Sequence, residues 1–101
     1  MTEIIAEIAN SHQGSPINAE KLALKSLDAG ADAVKFQIYF ADELLVKNHP
    51  RYLHFKKQSF NETDWSKLIA KVKKKGRVYC DIFGIKAFKL AKKLNVDGYK
   101  I

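Results

Sequence analysis

The sequence predicts an α/β fold in which parallel strands alternate with helices in the order β-α-β-α-β-α-β. Short apolar, β-prone runs alternate with segments whose apolar residues recur at helical spacing. Each of these segments ends near a glycine or an asparagine, which is a common helix stop. Such alternation is typical of parallel strands joined by right-handed crossovers. A doubly wound sheet and a (β/α)8 barrel both begin in this way, so periodicity alone does not separate them.

The first strand is predicted over residues 3–8 and is followed by a helix that opens at Ser15-Pro16. A serine at this position caps free backbone amides, and a proline fits the first helical position. The helix ends at Gly30, and the run "ADAVKFQIYF" then gives a second strand over residues 33–38.

Residues 39–60 are polar, aromatic and interrupted by Pro50, so we predict a long loop or excursion there. The segment "ADELLV" within it can form a short turn of helix. Loops of this length inside compact domains are usually functional or mobile.

The second crossover helix has the clearest pattern in the chain. Asn61 and Asp64 resemble a capping pair, and Gly76 ends the helix. An apolar stripe at i, i+3, i+4 and i+7 lies between them and consists of Trp65, Leu68, Ile69 and Val72.

The remaining elements complete the predicted alternation. "RVYCDIF" gives the third strand, and "GIKAFKLAKKLN" gives a helix with Phe88, Ala91 and Leu94 on its inner face. "VDGYKI" begins a fourth strand. If the sheet stops there, its first and fourth strands have open apolar edges, which favour pairing with another copy of the chain.

The composition is that of one globular domain spanning residues 1–101. The chain is 47% hydrophobic and 29% charged. No apolar run approaches the roughly 18 residues of a membrane span, and no charged head precedes an apolar signal core. We expect a cytoplasmic protein without a membrane partner. The single Cys80 fits a reducing compartment and is expected in the core rather than as a nucleophile.

The net charge of +7 raises the alternative of a nucleic acid or other anionic partner. The lysines, however, cluster at predicted helix ends, before Gly76 and before Asn95. Cations in a last helical turn complement the helix dipole and solvate the surface. Because no RNA-binding, zinc or basic-zipper pattern accompanies them, the sequence does not favour nucleic acid as the partner.

Polar residues follow or end each predicted strand. In a barrel, the carboxyl ends of the strands face the active site, so these side chains are expected to converge at one mouth. The candidates are Glu7, Asn10, His12, Lys35, Gln37, Asp81 and Lys100. Such a set suits an anionic substrate held by Lys35 and Lys100, with Glu7 or Asp81 available for proton transfer.

Each candidate also has a purely structural interpretation. Glu7 could simply pair with Lys35, Asn10 could cap a turn, and Gly14 could supply a positive φ. His12 fits a hydrogen-bonding loop residue better than a metal ligand.

Two further alternatives concern the strand ends and the other histidines. Gln37 and Lys100 could be solvated strand ends. His49 and His54 have no ligand spacing with His12, so we predict no metal ligands within the chain.

Three segments together resemble the N-terminal part of the N-acetylneuraminate (sialic acid) synthase family: "IIAEIANSHQGS", "AGADAVKFQ" and "GYKI". The resemblance implies about half of a (β/α)8 TIM barrel. It also implies a C–C bond-forming transferase that condenses phosphoenolpyruvate with an N-acyl hexosamine such as N-acetylmannosamine. A divalent metal, Mn or Mg, would polarise the sugar aldehyde, with ligands outside this chain.

The same resemblance implies roles for individual residues. Glu7 matches a glutamate implicated in proton handling, and Lys100 matches a lysine that contacts phosphate. Lys35 and Gln37 match positions around phosphoenolpyruvate and the sugar. Asn10 and His12 belong to the motif itself, with a loop-shaping or substrate-proximal role.

Two positions depart from the family pattern. "CDIF" stands where the family often has Ser-Thr-Pro-Phe, so Asp81 replaces a hydroxyl near the phosphate site, and a carboxylate there should repel phosphate. Ala9 occupies a glycine-type position. The alternatives are therefore another barrel aldolase or synthase, or a non-catalytic half-barrel that acts in binding or assembly. If residues 1–101 are complete, we expect them to be inactive alone.

Overall fold

The computed structural model describes residues 2–101. Its strands are β1 (Ile5–Glu7), β2 (Ala33–Tyr39), β3 (Arg77–Phe83) and β4 (Gly98–Lys100). Its helices are α1 (Pro16–Asp28), α2 (Ala41–Leu44), α3 (Tyr52–Gln58), α4 (Glu62–Lys73) and α5 (Ile85–Lys93). The strands form one sheet in chain order, and all neighbours are parallel. The predicted alternation of parallel strands and crossover helices is therefore confirmed.

The crossover helices α1, α4 and α5 pack on one face of the sheet. Val34, Phe36 and Ile38 of β2 and Val78 and Cys80 of β3 are fully buried there, in one apolar cluster with residues of all three helices. We call this side of the sheet the helix face and the opposite side the open face. A doubly wound sheet carries helices on both faces, so the one-sided cover favours the barrel interpretation.

The capping residues predicted for two helices act as caps. The Ser15 hydroxyl accepts a hydrogen bond from the Asn18 amide at 3.1 Å, and the Asn61 side chain accepts one from the Asp64 amide at 2.8 Å. The stripe on α4 is buried as expected. None of the helices within residues 2–101 combines the length and apolar character needed to span a bilayer.

The excursion over residues 39–60 contains more helix than the sequence predicts. The expected short turn is α2, but α3 lies in a stretch predicted as loop. Tertiary contacts hold this seven-residue helix: Tyr52 is buried and its hydroxyl donates to Asp42, while Phe55 packs edge-on against Tyr39. A helix this short has too few turns to show a periodic pattern.

One predicted core position on α5 is wrong. Phe88 is 37% exposed and packs against the ring of Tyr99 instead of entering the core. Ala87 and Leu90 take the inward positions beside Ala91. The inner face of α5 thus consists of two small alanines and one leucine, and Phe88 lies outside it.

A carboxylate from α2 caps α5. Glu43 accepts hydrogen bonds from the backbone amides of Lys86 at 2.8 Å and Ala87 at 3.1 Å. These amides belong to the first turn, where no helical partner exists for them. Gly84, at φ 123°, leaves room for this carboxylate, because a Cβ there would lie 2.5 Å from the Glu43 carboxyl carbon. The segment 39–60 is thereby connected, through Glu43, to the start of α5 just after β3.

The loop after β1 is tightly wound. Ala9, Gln13 and Gly14 all adopt positive φ, at 49°, 54° and 81°. A Cβ on Gly14 would lie 2.5 Å from the Lys57 carbonyl oxygen, so the loop and the end of α3 are in backbone contact. The glycine is thus required both by its conformation and by this approach.

Gly14→Ala is expected to lower the free energy of unfolding by about 2 kcal/mol, because it adds a left-handed alanine and a backbone clash. Gly30→Ala is the matched control, since Gly30 has φ 115° but open space around it. We expect the control to cost about 1 kcal/mol, from conformation alone. Urea titration of both variants measures the difference, and equal losses would show that the Lys57 contact is unimportant.

Candidate functional site

Two rows of side chains cross the open face, because residues paired in neighbouring parallel strands point to the same side. The first row is Glu7, Lys35, Tyr79 and Gly98, and the second is Gln37, Asp81 and Lys100. The Tyr79 hydroxyl donates to the Glu3 carboxylate at 2.8 Å, and this carboxylate also pairs with Arg77. The second row is one step nearer the carboxyl ends of the strands.

Lys35 links the two rows. Its ammonium lies 2.6 Å from Glu7 Oε1 and 3.5 Å from Asp81 Oδ1. The Lys35 and Asp81 side chains are each 13% exposed, whereas that of Glu7 is 64% exposed. The structure therefore places one partly buried cation between two carboxylates, of which Glu7 is the exposed one.

The Lys35 contact determines the ionisation of Glu7. The hydrogen bond from Lys35, followed by its positive charge, lowers the pKa of the Glu7 carboxyl below its usual value. The same hydrogen bond raises the pKa of the Lys35 amine. Glu7 is therefore held as a carboxylate, while Lys35 stays a cation and is unsuited to attack a carbonyl as a free amine.

Gln37, Asp81 and Lys100 line one groove on the open face. Lys100 also lines a second groove, beside Lys35 and Tyr79. Within residues 2–101, no carboxylate lies within ion-pair distance of the Lys100 ammonium. Lys100 is thus the cation of this face that can receive an anionic group of a ligand.

Asn10, in the loop after β1, is hydrogen-bonded by Tyr39, a residue that the sequence analysis did not identify as part of the site. The Tyr39 hydroxyl donates to Asn10 Oδ1 at 3.2 Å, and burial raises the pKa of Tyr39 to about 12. Tyr39 shares the open face with Lys35 and Gln37 by strand alternation. The signal was present in the sequence, but the predicted strand ended one residue too early.

His12 does not join the other candidates on the open face. Its imidazole is 1% exposed and lies against the Phe60 ring, with centroids 4.5 Å apart. Its Nδ1 accepts a hydrogen bond from the Gly14 amide at 2.9 Å, so the neutral ring carries its proton on Nε2. This geometry favours the loop-shaping role.

Burial lowers the pKa of His12, which makes stability depend on pH. The unfolded histidine binds a proton near pH 6.5, whereas the folded one resists it, so stability is lost as the pH falls below about 6.5. We expect the thermal unfolding midpoint of the wild type to fall between pH 7.5 and pH 5.5. His12→Asn keeps an acceptor oxygen and should reduce this fall.

His54→Asn, on the exposed side of α3, is the control and should leave the fall unchanged. If the midpoint of His12→Asn falls with pH as much as that of the wild type, His12 is not the group responsible.

The described residues were compared with the ligand grouping that a divalent metal needs. Across residues 2–101, no three histidine, cysteine, aspartate or glutamate side chains come close enough to share an ion. Glu7 and Asp81 both lie within ion-pair distance of the Lys35 ammonium.

Comparison with known proteins gives a consistent set of similarities. The family model described as the NeuB family matches residues 22–101. An uncharacterized protein of Methanocaldococcus jannaschii is 30% identical over 101 residues, which are 99% of this chain and 30% of that protein.

Two solved structures superpose on most of the chain. The N-acetylneuraminic acid (sialic acid) synthetase of Leptospira borgpetersenii, crystallised with citrate, matches 97% of this chain and 35% of its own, with a TM-score of 0.87 and 27% identity. Spore coat polysaccharide biosynthesis protein E of Chromobacterium violaceum matches all of this chain and 34% of its own, with a TM-score of 0.82; at 20% identity it shows the fold alone. The chain spans about a third of each relative, and its sheet resembles part of the sialic acid synthase barrel.

Proposed function

This chain belongs to the NeuB family, and on that premise we propose that it forms the first part of the active site of a synthase that joins phosphoenolpyruvate to an N-acyl hexosamine. The product would be a nonulosonic acid of the sialic acid type. The alkene carbon of phosphoenolpyruvate attacks the open-chain aldehyde of the sugar, water adds to the neighbouring carbon, and phosphate leaves. N-acetylmannosamine is the acceptor that we propose to test first.

The observation that supports this function most directly is the grouping of Glu7, Lys35 and Lys100 on one face of the sheet. Glu7 is ionised and exposed, so we assign it the handling of protons near the reacting carbons. Lys35 positions Glu7 and adds positive charge beside the anionic substrate. Lys100, which has no ion-pair partner among the described residues, contacts the phosphate. Gln37 lines a groove together with Asp81 and Lys100, and we assign it the orientation of the sugar.

Phosphate release by the full gene product tests the proposal. We expect inorganic phosphate to appear only when phosphoenolpyruvate and N-acetylmannosamine are both present, with a product whose mass equals the two substrates plus water minus phosphoric acid. Each substrate alone is the control. No phosphate release with any N-acyl hexosamine would overturn the proposed function.

A further inference from the structure

One carboxylate oxygen of Asp81 has only a long ion-pair contact within the protein. Its Oδ1 is buried, and no donor among residues 2–101 forms a hydrogen bond with it. The Lys35 ammonium, at 3.5 Å, is at ion-pair distance but is bound much more closely by Glu7, at 2.6 Å. The long contact leaves the Asp81 carboxylate less fully compensated than that of Glu7, so a further donor from a ligand would be favourable.

The surroundings of Asp81 define which ligand group fits. Gln37 and Lys100 flank it in register on the neighbouring strands, and the three side chains line one groove. The groove has a volume of about 270 Å³, enough for part of a small molecule and not for a polymer. It offers an amide, a carboxylate and an ammonium to the same ligand.

The charges around the groove disfavour a phosphate beside Asp81. The two carboxylates, Glu7 and Asp81, balance the two lysines, Lys35 and Lys100, so the face as a whole has no positive excess. A phosphate group next to Asp81 would meet a like charge at short range in a partly buried site. A neutral hydroxyl meets no such penalty and can donate a charge-assisted hydrogen bond to the Asp81 carboxylate.

We propose that Asp81 is a specificity-determining residue that binds a hydroxyl group of the acceptor sugar, with Gln37 and Lys100 beside it. This inference rests on the proposed function for the identity of the sugar. The phosphate of phosphoenolpyruvate then contacts Lys100 outside this groove, on the side shared with Lys35 and Tyr79. A carboxylate here selects a polyhydroxylated ligand and rejects an anion.

Calorimetric titration of the full protein with N-acetylmannosamine and, separately, with inorganic phosphate tests the inference. We expect Asp81→Asn to weaken sugar binding about tenfold, because the charge-assisted hydrogen bond is lost. We expect the same variant to bind phosphate about tenfold more tightly, because a like charge is removed. Asp28→Asn, at the exposed end of α1, removes the same charge elsewhere and should change neither affinity.

A second measurement needs no variant. In the wild type, the backbone amide signals of Gln37, Asp81 and Lys100 should shift on titration with N-acetylmannosamine. Unshifted signals, or equal sugar affinities in the wild type and Asp81→Asn, would overturn the role of Asp81. The proposed function can fail independently of this role. In that case phosphate release is absent, but the wild type and Asp81→Asn still differ in their affinity for N-acetylmannosamine.

Discussion

Glu7→Gln is expected to lower the turnover of the full protein by about 10²–10⁴-fold, because glutamine keeps the shape of the side chain but cannot accept a proton. The amide oxygen can still receive the hydrogen bond from Lys35, so the fold should be preserved. Phosphate release under saturating phosphoenolpyruvate and N-acetylmannosamine measures the loss. The thermal unfolding midpoint of the variant should equal that of the wild type, which would show that the loss of turnover is not a loss of folding.

Glu62→Gln is the matched control for this substitution. Glu62 is also paired with a lysine, Lys93, at 2.7 Å, but on the outer helices α4 and α5. We expect wild-type turnover from it. Wild-type turnover from Glu7→Gln as well would make the Glu7–Lys35 pair a structural ion pair only.

The pH profile gives an independent test of the same assignment. Because Lys35 lowers the pKa of Glu7, the carboxylate stays ionised above its ordinary pKa of about 4.5, and any loss of activity from its protonation lies below that pH. Lys35→Met removes the hydrogen bond and the charge. We expect the acid limb of its rate profile to move to higher pH, and an unmoved limb would contradict the coupling.

Leu68→Ala is expected to lower the free energy of unfolding by about 3 kcal/mol. Leu68 is 3% exposed on α4, between the sheet and α1, and truncation removes apolar burial and leaves a cavity. Leu53→Ala is the matched control, because Leu53 is 67% exposed on α3. Its stability should change by no more than about 0.5 kcal/mol.

Chemical denaturation of the two leucine variants measures this difference. Equal losses of stability would show that the α4 stripe does not form the core that its periodicity indicates. A change in the denaturant slope for Leu68→Ala alone would indicate a less compact native or unfolded state instead of a simple loss of packing.

The parts of the fold that the sequence predicts well are those encoded by local chemistry. The α4 stripe, the Ser15 and Asn61 caps and the apolar strands each depend on residues within a few positions of one another. The helix α3 could not be found in this way, because Tyr52 and Phe55 are held by residues distant in sequence. The Glu43 cap of α5 has no local signal either, since its partners lie more than 40 residues away.

The candidate site shows the same division. Strand alternation correctly places Lys35 and Gln37 on one face, and register brings Glu7 and Asp81 to the same lysine. The sequence could not tell that His12 turns inward, because its burial depends on Phe60, far along the chain. The catalytic roles of these residues stay predictions until turnover and binding are measured.

Strand order in the sheet permits the chain to fold while it is being synthesised. Each strand after β1 pairs with a neighbour that left the ribosome before it, so β2, β3 and β4 can each be added to a strand that is already present. The contacts of Glu3 with Arg77 and Tyr79 span 74 and 76 residues and bridge β2 to join the start of the chain to β3. These contacts of Glu3 can therefore form only after β3 has been synthesised.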